Sequence, residues 1–356
     1  MGAEAGERGM ERNDMRRDDP GARIKLEHGS GGALSRELVD GLIFPRFRGE
    51  SYPELSDGAR VSIDGEAVLT TDTYVVDPLF FPGGDIGTLG VYGTCNDLSV
   101  SGAVPRYLTL GLVLEEGVPI RDLERVLASV AAASAEADVR VVSGDTKVVP
   151  RGKGGGIFLN TSGVGARIFA PALTPGRIRS GDAVIVSAPV GSHGITILAA
   201  RESLSVGGNL KSDCACLHPL CSLLFGLGGD LRFMRDATRG GLAAVLNEAA
   251  QGRSWILEVD EAAVPIDRDV AAVAEILGLN PLEVANEGVL VAVVADGRRE
   301  EALALLRSHP LGAQASVIGR VMDAPDTDRG RVILRTFVGG RRILDFPRGL
   351  VLPRIC

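Results

Sequence analysis

The pattern of hydrophobic and polar positions predicts a first α/β unit between residues 23 and 168. Apolar residues recur at helical spacing in some stretches and form short β-rich runs in others. The predicted helices are residues 34–43, 85–103 and 120–137, and the predicted strands are residues 68–76, 107–114, 139–142 and 155–165. After the first helix the order is strand, helix, strand, helix, strand, strand, which is typical of a compact α/β domain.

The same pattern predicts a second α/β unit at residues 182–346. Its predicted strands are residues 182–187 and 289–294, and its predicted helices are residues 242–250, 270–278 and 300–308. Two further β-rich runs, residues 332–338 and 340–345, indicate a hairpin around Gly339 and Gly340. The intervening residues 169–181 contain two prolines and two glycines and are predicted to be a linker.

Both ends of the chain lack such periodicity. Residues 1–22 are rich in Arg, Asp, Glu and Gly, so we expect a disordered tail there. Residues 347–356 have too few periodic polar positions for an amphipathic helix, and we expect a mobile C-terminal tail. The last residue is Cys356, and a thiol on such an arm can enter a site and leave it again. The alternative is a frayed terminus with an incidental cysteine.

Composition narrows the class of protein. The chain has 356 residues, 45% of them hydrophobic and 24% charged, which suits a globular enzyme of two domains. The net charge of -8 argues against broad nucleic-acid binding. We expect no membrane segment or signal peptide, because no apolar run is long enough. The five cysteines are odd in number and spread out, so a reducing cytoplasm is expected rather than a disulfide framework.

Several polar residues interrupt apolar stretches in ways that indicate a binding site. Four aspartates without evident basic partners fall at predicted strand or helix junctions or before a helix, which suggests a site for a hard cation such as Mg²⁺. These are Asp72, Asp97, Asp145 and Asp236. The Asn96-Asp97 pair is costly to bury unless something binds it. The Asn286-Glu287 pair before a predicted strand is another candidate, with a simple turn as its alternative.

Two glycine-containing stretches add features of a phosphate site. Residues 28–32 read His-Gly-Ser-Gly-Gly before a predicted helix, and residues 143–147 read Ser-Gly-Asp-Thr-Lys. A glycine-rich turn at a helix N-terminus presents free N–H groups to an anion, although a flexible turn is the alternative. Lys147 adds a positive charge. Together with the aspartates, these stretches predict a magnesium–nucleotide site without a P-loop.

The clustered cysteines Cys214, Cys216 and Cys221, with His218, raise the possibility of a zinc site. Their spacing is not a standard zinc spacing, and the chain has no second pair to complete it. A local cysteine-rich segment of the surface or core is the simpler interpretation.

From about residue 25 to residue 356, the sequence resembles the superfamily of aminoimidazole ribonucleotide synthetase and selenophosphate synthetase, and within it the HypE family of hydrogenase-maturation carbamoyl dehydratases. The motifs that carry the resemblance are Thr71-Asp72, Asn96-Asp97-Leu98, Gly144-Asp145-Thr146-Lys147, residues 236–242 and the terminal Pro353-Arg354-Ile355-Cys356. The departures are Ala237, where the family often has proline, residues 1–22 and the additional cysteines.

The resemblance implies a PurM-like fold of two α/β domains, with the first domains of two subunits pairing their sheets into a barrel-like homodimer core. It also implies that a carbamoyltransferase, HypF, loads a carbamoyl group onto Cys356. The chain would then use ATP to dehydrate this group to a thiocyanate, releasing ADP and phosphate. The cyanide would pass to iron on a HypC–HypD complex during [NiFe]-hydrogenase maturation.

Residue roles follow from the same resemblance. Mg²⁺ is expected on the four aspartates named above, and Lys147 is expected to stabilise the transferred phosphoryl group. Cys356 is the expected carrier, and Glu287 is the expected proton acceptor, although the sequence does not select it over another base. The expected ATP-binding residues are Gly31, Gly32, Asp72, Asn96, Asp97, Gly144, Asp145, Thr146 and Lys147.

The same residues are compatible with two other functions. A selenophosphate synthetase, or another small-molecule synthetase of the superfamily, would use the same ATP chemistry. Selenophosphate synthetase usually has a cysteine or selenocysteine in the glycine-rich loop where this chain has Ser30. A terminal cysteine has no role in selenophosphate synthetase or in the other small-molecule synthetases. The second alternative is a non-catalytic scaffold for hydrogenase assembly, which the intact acidic set disfavours.

Overall fold

The computed structural model describes residues 21–47, 58–204, 208–323, 325, 327–347 and 354–356. Most of the predicted N-terminal tail, residues 1–22, therefore lies outside the described residues. So do residues 348–353 of the predicted C-terminal tail. Among the described residues, no helix is both long and apolar enough to cross a membrane.

The first unit is a four-stranded sheet covered by helices on one face. Its strands are β1 (Ala67–Tyr74), β4 (Ala103–Glu115), β5 (Arg140–Val149) and β6 (Ile157–Arg167), in the order β1-β6-β4-β5. Its main helices are α3 (Ile86–Val100) and α4 (Ile120–Glu136), preceded by the short helices α1 (Ala33–Leu38) and α2 (Phe44–Phe47) and the two-residue strands β2 (Phe80–Phe81) and β3 (Gly84–Asp85). The predicted order of strands and helices is confirmed.

Two aspects of the first unit differ from the prediction. The predicted helix 34–43 is broken, because a π-helical turn (Val39–Ile43) separates α1 from α2. The predicted strand exit at residue 143 is wrong, because β5 continues through Asp145 and Lys147 to Val149. Parallel pairing with β4 extends the strand, since every residue from Ser143 to Val149 has a partner there. Asp72 and Asp97 likewise lie inside β1 and α3, not at junctions.

One face of the first sheet remains open to solvent in the described chain. Side chains alternate along the strands, so Leu69 of β1 and Val113 of β4 are 72% and 37% exposed while their neighbours are buried or half-buried. Val164 and Phe158 of β6 lie on the same face and are half-buried. A half-apolar face of this kind is normally covered in the functional protein.

The second unit is a seven-stranded sheet in the order β13-β12-β9-β11-β7-β10-β8. Its strands are β7 (Ala183–Val186), β8 (Leu231–Asp236), β9 (Trp255–Asp260), β10 (Leu290–Val294), β11 (Ser316–Asp323), β12 (Val332–Arg335) and β13 (Arg341–Ile343). Its helices are α5 (Ser192–Arg201), α6 (His218–Phe225), α7 (Gly241–Ala250), α8 (Arg268–Leu277) and α9 (Arg299–Arg307). The predicted hairpin is confirmed as β12 and β13.

Helix α3 joins the two units. It packs against β1 and β6 on one side and against α6 and β8 on the other. Asp85 begins the helix by accepting hydrogen bonds from the backbone N–H groups of Gly87 (2.8 Å) and Thr88 (3.0 Å). Because α3 lies between the two sheets, a side chain near its C-terminal end faces residues of both units.

Candidate active site

Four acidic side chains from both units meet at this junction. Asp72 projects from β1, Asp97 from α3, and Asp236 is the last residue of β8. Glu287 precedes β10, which pairs with β8 so that Leu290 lies opposite Asp236. Asp236 and Glu287 are buried, and Asp72 and Asp97 are half-buried. The structure therefore brings together three of the four aspartates singled out in the sequence.

The cluster is electrostatically strained. Burial and the neighbouring Asp97 raise the pKa of Asp72 to about 6, and the same two causes raise the pKa of Asp236 to about 7. The pKa of Glu287 is raised well above its usual range by burial, and next by Asp236 and Asp213. Glu287 Oε1 has no hydrogen-bond partner among the described residues. These carboxyl groups repel one another, and the positive charge of Arg239 offsets this repulsion only in part.

This donor set fits a magnesium ion. Mg²⁺ usually takes one or two protein carboxylates and completes its coordination with waters and substrate phosphates. In the described chain no three acidic, histidine or cysteine side chains converge closely enough to hold a metal by themselves. Asp72, Asp97 and Asp236 thus fit an ion that arrives with phosphate oxygens better than one held by a complete protein cage.

Asp145 does not join the cluster within one chain. Asp145 lies on β5, at the edge of the sheet opposite β1, and pairs with Gly111 of β4. Gly111 is also opposite Asn160, whose side chain bonds Thr73 on the open face, whereas Asp72 is opposite the buried Thr161. Asp72 and Asp145 therefore lie on opposite faces and at opposite edges of the sheet. Lys147 lies beside Asp145, with its Nζ 3.1 Å from Asp145 Oδ2.

A cavity of about 560 Å³ brings together the two glycine-containing stretches. One wall is the loop of His28, Gly29 and Gly31, and Gly32 directly precedes α1. The opposite wall is the part of β5 from Ser143 to Lys147, including Gly144 and Thr146. These stretches are more than a hundred residues apart in sequence. The predicted phosphate elements thus form one concave surface, apart from the acidic cluster.

Asn96 has a structural partner for its amide group. Its Nδ2 donates to the carbonyl of Ala215 at 3.0 Å, and its Oδ1 accepts from the backbone N–H of Leu217 at 2.7 Å. The side chain therefore holds the segment before α6 against α3. In this conformation it does not face the cavity.

The C-terminal residues lie at the acidic cluster. Val75 N–H donates to the Cys356 carbonyl oxygen (3.3 Å), and Asp77 N–H donates to the Arg354 carbonyl (3.1 Å). The Arg354 guanidinium donates to the carbonyls of Val75 (2.9 Å) and Gly155 (2.8 Å). The chain end thus docks beside the segment that follows β1.

The Cys356 thiol is placed next to Glu287. Burial raises its pKa well above the usual thiol range, and the negative charge of Glu287 adds to the shift. Asp72 has the same effect, whereas Arg239 opposes it. The docked thiol is therefore protonated and unreactive as a nucleophile at neutral pH. It lies where the buried carboxyl group of Glu287 meets the aspartate cluster.

Asp213 supports Glu287 from behind. Its Oδ2 accepts hydrogen bonds from the backbone N–H groups of Glu287 (3.0 Å) and Gly288 (2.9 Å). A Cβ atom at Gly288 would lie 1.8 Å from the Asp213 carbonyl oxygen, so only glycine fits there. Burial raises the pKa of Asp213 to about 6. Sequence patterns gave no signal for Asp213, because a lone aspartate in a loop resembles many others.

The cysteines of the cysteine-rich segment are buried or partly buried. All five cysteines are free; Cys95, Cys216 and Cys221 are buried, and Cys214 is partly buried. No group of three metal-ligating side chains occurs among the described residues, which disfavours the zinc interpretation of Cys214, Cys216 and Cys221. These side chains pack as small hydrophobic residues around α3 and α6.

Two family models match the chain, and they define its class. The N-terminal domain of AIR synthase related proteins matches residues 55–166, and the C-terminal domain of the same proteins matches residues 179–330. The fold is accordingly the mixed α/β, two-domain, PurM-like fold.

The particular family follows from individual relatives. The chain is 46% identical to the carbamoyl dehydratase HypE of Rhizobium leguminosarum bv. viciae over 341 residues, covering 95% of this chain and 97% of that protein. It superimposes on a crystal structure of the hydrogenase maturation protein HypE in complex with ATP, with a TM-score of 0.89, 44% identity and coverage of 93% and 99%. A crystal structure of a HypE–HypF complex gives a TM-score of 0.76 at 39% identity, covering 89% and 100%. The chain belongs to the HypE family of carbamoyl dehydratases.

Proposed function

We propose that the chain dehydrates a carbamoyl group carried on its own Cys356 to a thiocyanate at the expense of ATP, and that the cyanide becomes an iron ligand of [NiFe]-hydrogenase. The observation that carries the proposal is the position of the terminal thiol, docked between Glu287 and the aspartate cluster. A structural relative that binds ATP supports the use of this nucleotide.

The chemistry requires activation of a poor leaving group. In the thiocarboxamide S–C(=O)–NH₂, the oxygen attacks the γ-phosphorus of ATP, and ADP leaves. The nitrogen then loses its two protons, the C–O bond breaks with loss of phosphate, and S–C≡N remains. Phosphorylation thus removes the oxygen as phosphate instead of hydroxide, and no external oxidant or reductant is needed.

The residues divide this work among them. Asp72, Asp97 and Asp236 would hold Mg²⁺, which when bound neutralises charge on the phosphates. Glu287 accepts a proton from the carboxamide nitrogen, because burial and its acidic neighbours make it a stronger base than an ordinary glutamate. The enclosure of the docked tail keeps water from the phosphorylated intermediate.

We propose that a second subunit completes the site. Asp145, Lys147 and the glycine loop lie at the β5 edge, away from Asp72 at the β1 edge. Closing two such four-stranded sheets into a barrel covers the open face and places the β5 edge of one copy beside the β1 edge of the other. Gly31, Gly32, Gly144 and Thr146 then bind the nucleotide, and Lys147 stabilises the transferred phosphoryl group. Asn96 contributes by holding the segment before α6 rather than by direct contact.

The partners and location follow from the same chemistry. A HypF-type carbamoyltransferase would supply the carbamoyl group, which the solved HypE–HypF complex of relatives supports. A HypC–HypD complex would accept the cyanide at iron. Both exchanges need the tail to leave its docked position. The five free cysteines suit a reducing compartment, so we place the reaction in the cytoplasm.

A small-molecule synthetase would not need a docked C-terminal thiol, and a scaffold would not need the acidic cluster. Calorimetric titration with ATP and Mg²⁺ separates the scaffold from both enzymes, because a scaffold gives no binding. Dehydration of carbamoylated Cys356, assayed by mass, then separates the carbamoyl dehydratase from a small-molecule synthetase.

A further inference from the structure

The last three residues are bound through every one of their backbone carbonyl groups. The carbonyls of Arg354 and Cys356 accept from Asp77 and Val75, as in an antiparallel pair of strands. In that geometry the carbonyl of the intervening residue, Ile355, points away from the first domain. It meets the second domain, where His193 Nε2 lies 2.8 Å from it.

The hydrogen bonds around His193 have a single consistent direction. The Ile355 oxygen only accepts, so Nε2 carries the proton and Nδ1 accepts from the Ser212 hydroxyl at 2.8 Å. Ser212 Oγ in turn accepts from the backbone N–H of Cys214 at 3.0 Å. The backbone N–H of Ser212 is anchored on the Pro82 carbonyl at 2.8 Å. With the tail docked, these hydrogen bonds fix both the tautomer and the ring orientation of His193.

The side chains of His193 and Ile355 are both buried when the tail is docked. The His193 side chain is fully buried with the tail in place, and the edge of Phe81 packs against its ring at a centroid distance of 5.5 Å. The Ile355 side chain is 3% exposed and belongs to the core of the first domain. A slip of one residue would turn Ile355 toward the carboxylates and Cys356 toward the core.

We propose that His193, oriented by Ser212, is a positioning residue that binds the Ile355 carbonyl and thereby fixes the register in which Cys356 reaches Glu287. Its role in catalysis rests on the proposed function, but tail docking is measurable without it. His193 and Ser212 lie in the second domain, whereas residues 75–77, which bind the tail backbone, lie in the first. The docked tail therefore connects the two domains.

Substitutions at residue 193 separate this role from simple packing. Glutamine places an amide N–H near the position of Nε2, whereas asparagine reaches only the Nδ1 side, toward Ser212. Glutamine is polar and similar in size to histidine, and asparagine is polar and smaller. His309→Asn is a control, since His309 caps a distant turn by accepting from the Leu311 N–H. Ser212→Ala removes the group that orients the ring.

The measurement is the alkylation rate of Cys356 by iodoacetamide without nucleotide, followed by mass spectrometry of the C-terminal peptide. His193→Asn should raise the rate about tenfold, as expected from the loss of one hydrogen bond, and Ser212→Ala should raise it severalfold. His193→Gln should stay within about threefold of the wild type, and His309→Asn should match it. Thermal melting checks that each variant is folded.

A folded His193→Asn variant with the wild-type alkylation rate overturns the proposal, and so does a glutamine variant as reactive as the asparagine variant. If neither the asparagine nor the glutamine variant folds, Ser212→Ala is the deciding variant. An unchanged alkylation rate of Cys356 in Ser212→Ala then overturns the proposal. Failure of the proposed function looks different: Cys356 would be protected as predicted, but carbamoylated wild-type protein would not lose water with ATP.

Discussion

The carboxylate of Asp213 lies 3.0 Å from the backbone nitrogen of Glu287 and accepts its hydrogen bond. The contact places a negative charge behind the group that we propose as proton acceptor, and this charge helps to raise the pKa of Glu287. The Asp213 carboxylate therefore both holds the loop of Glu287 in place and raises the pKa of its side chain.

Asp213→Asn tests whether the charge of Asp213 raises the pKa of Glu287. One oxygen of Asp213 accepts both N–H groups, so the amide oxygen of asparagine can still accept them. The charge is lost, however, so the pKa of Glu287 should fall. We expect the acid limb of the dehydration rate to move to lower pH by roughly one unit, with a lower maximal rate. A pH profile of single-turnover dehydration measures this, with Asp323→Asn at an exposed position as the control. An unmoved acid limb would show that Asp213 has only a structural role.

Asp97→Asn and Asp145→Asn should each abolish ATP hydrolysis while leaving the protein folded. Removing the charge of Asp97 relieves the repulsion that raises the pKa of Asp72, so the free energy of unfolding at pH 8 should rise by up to about 1 kcal/mol. Asp145 is exposed, so its replacement should not alter stability measurably. Malachite-green phosphate release and urea denaturation measure the two effects, with Asp122→Asn as control. Normal turnover in both variants refutes the magnesium assignment.

Mixing these two variants tests the shared site. In a random mixture half of the dimers contain one copy of each, and in these dimers one of the two sites has both aspartates. About a quarter of the wild-type rate should therefore return after subunit exchange. If the mixture stays inactive although exchange is complete, Asp97 and Asp145 do not act across an interface.

Leu69→Glu should convert the dimer to a monomer. Leu69 is 72% exposed on the open face of the first sheet, so a charge there would be buried against the partner in the dimer that we propose. Ile276→Glu is the matched control, because Ile276 is 76% exposed on α8 of the second domain. Sedimentation velocity at micromolar concentration distinguishes the two species. A monomeric wild type, or a dimeric Leu69→Glu variant, contradicts the barrel-like core.

Stability at acidic pH should reveal the buried imidazole of His193. Burial lowers its pKa to about 4, so below pH 6.5 the unfolded chain binds a proton that the folded chain does not. The stability that the neutral ring contributes is present above pH 6.5 and is lost as the pH falls toward 4. Relative to His193→Gln, the wild type should lose about 2 kcal/mol of unfolding free energy between pH 7 and pH 5. The buried carboxyl groups titrate in both proteins and cancel in this difference, so a difference independent of pH contradicts a neutral, buried ring.

The sequence predicted the parts of the molecule that local pattern determines. The periodicity of α4 and the hairpin at Gly339 are local, and so are the motifs around Asp72 and Asp97. It did not predict α5, α6 or β8, β9 and β11, whose buried apolar runs resemble one another whether helical or extended. It placed Asp145 with the other aspartates, because similar motifs give no indication of which face of a sheet a side chain occupies.

The contacts that position the tail were invisible for a related reason. His193 follows a short glycine turn, and its importance depends on Ile355, which is 162 residues away. The same holds for Arg354 and Gly155, which are brought together only by the folded sheet. A histidine flanked by glycine and serine at the start of a buried helix was the only local signal.

The central claim is that Cys356 carries the group that is dehydrated, and the mass of the C-terminal peptide tests it directly. After incubation with a HypF-type carbamoyltransferase and carbamoyl phosphate, the peptide should carry a carboxamide, and addition of ATP and Mg²⁺ should remove one water from it. Cys356→Ala should bind ATP normally and carry no adduct, because a methyl group cannot accept a carbamoyl group. Residues added after Cys356 should slow the loss of water, because the chain end lies in an enclosed site. A wild-type adduct that persists unchanged with ATP, or an alanine variant that still delivers cyanide to iron, would contradict the account.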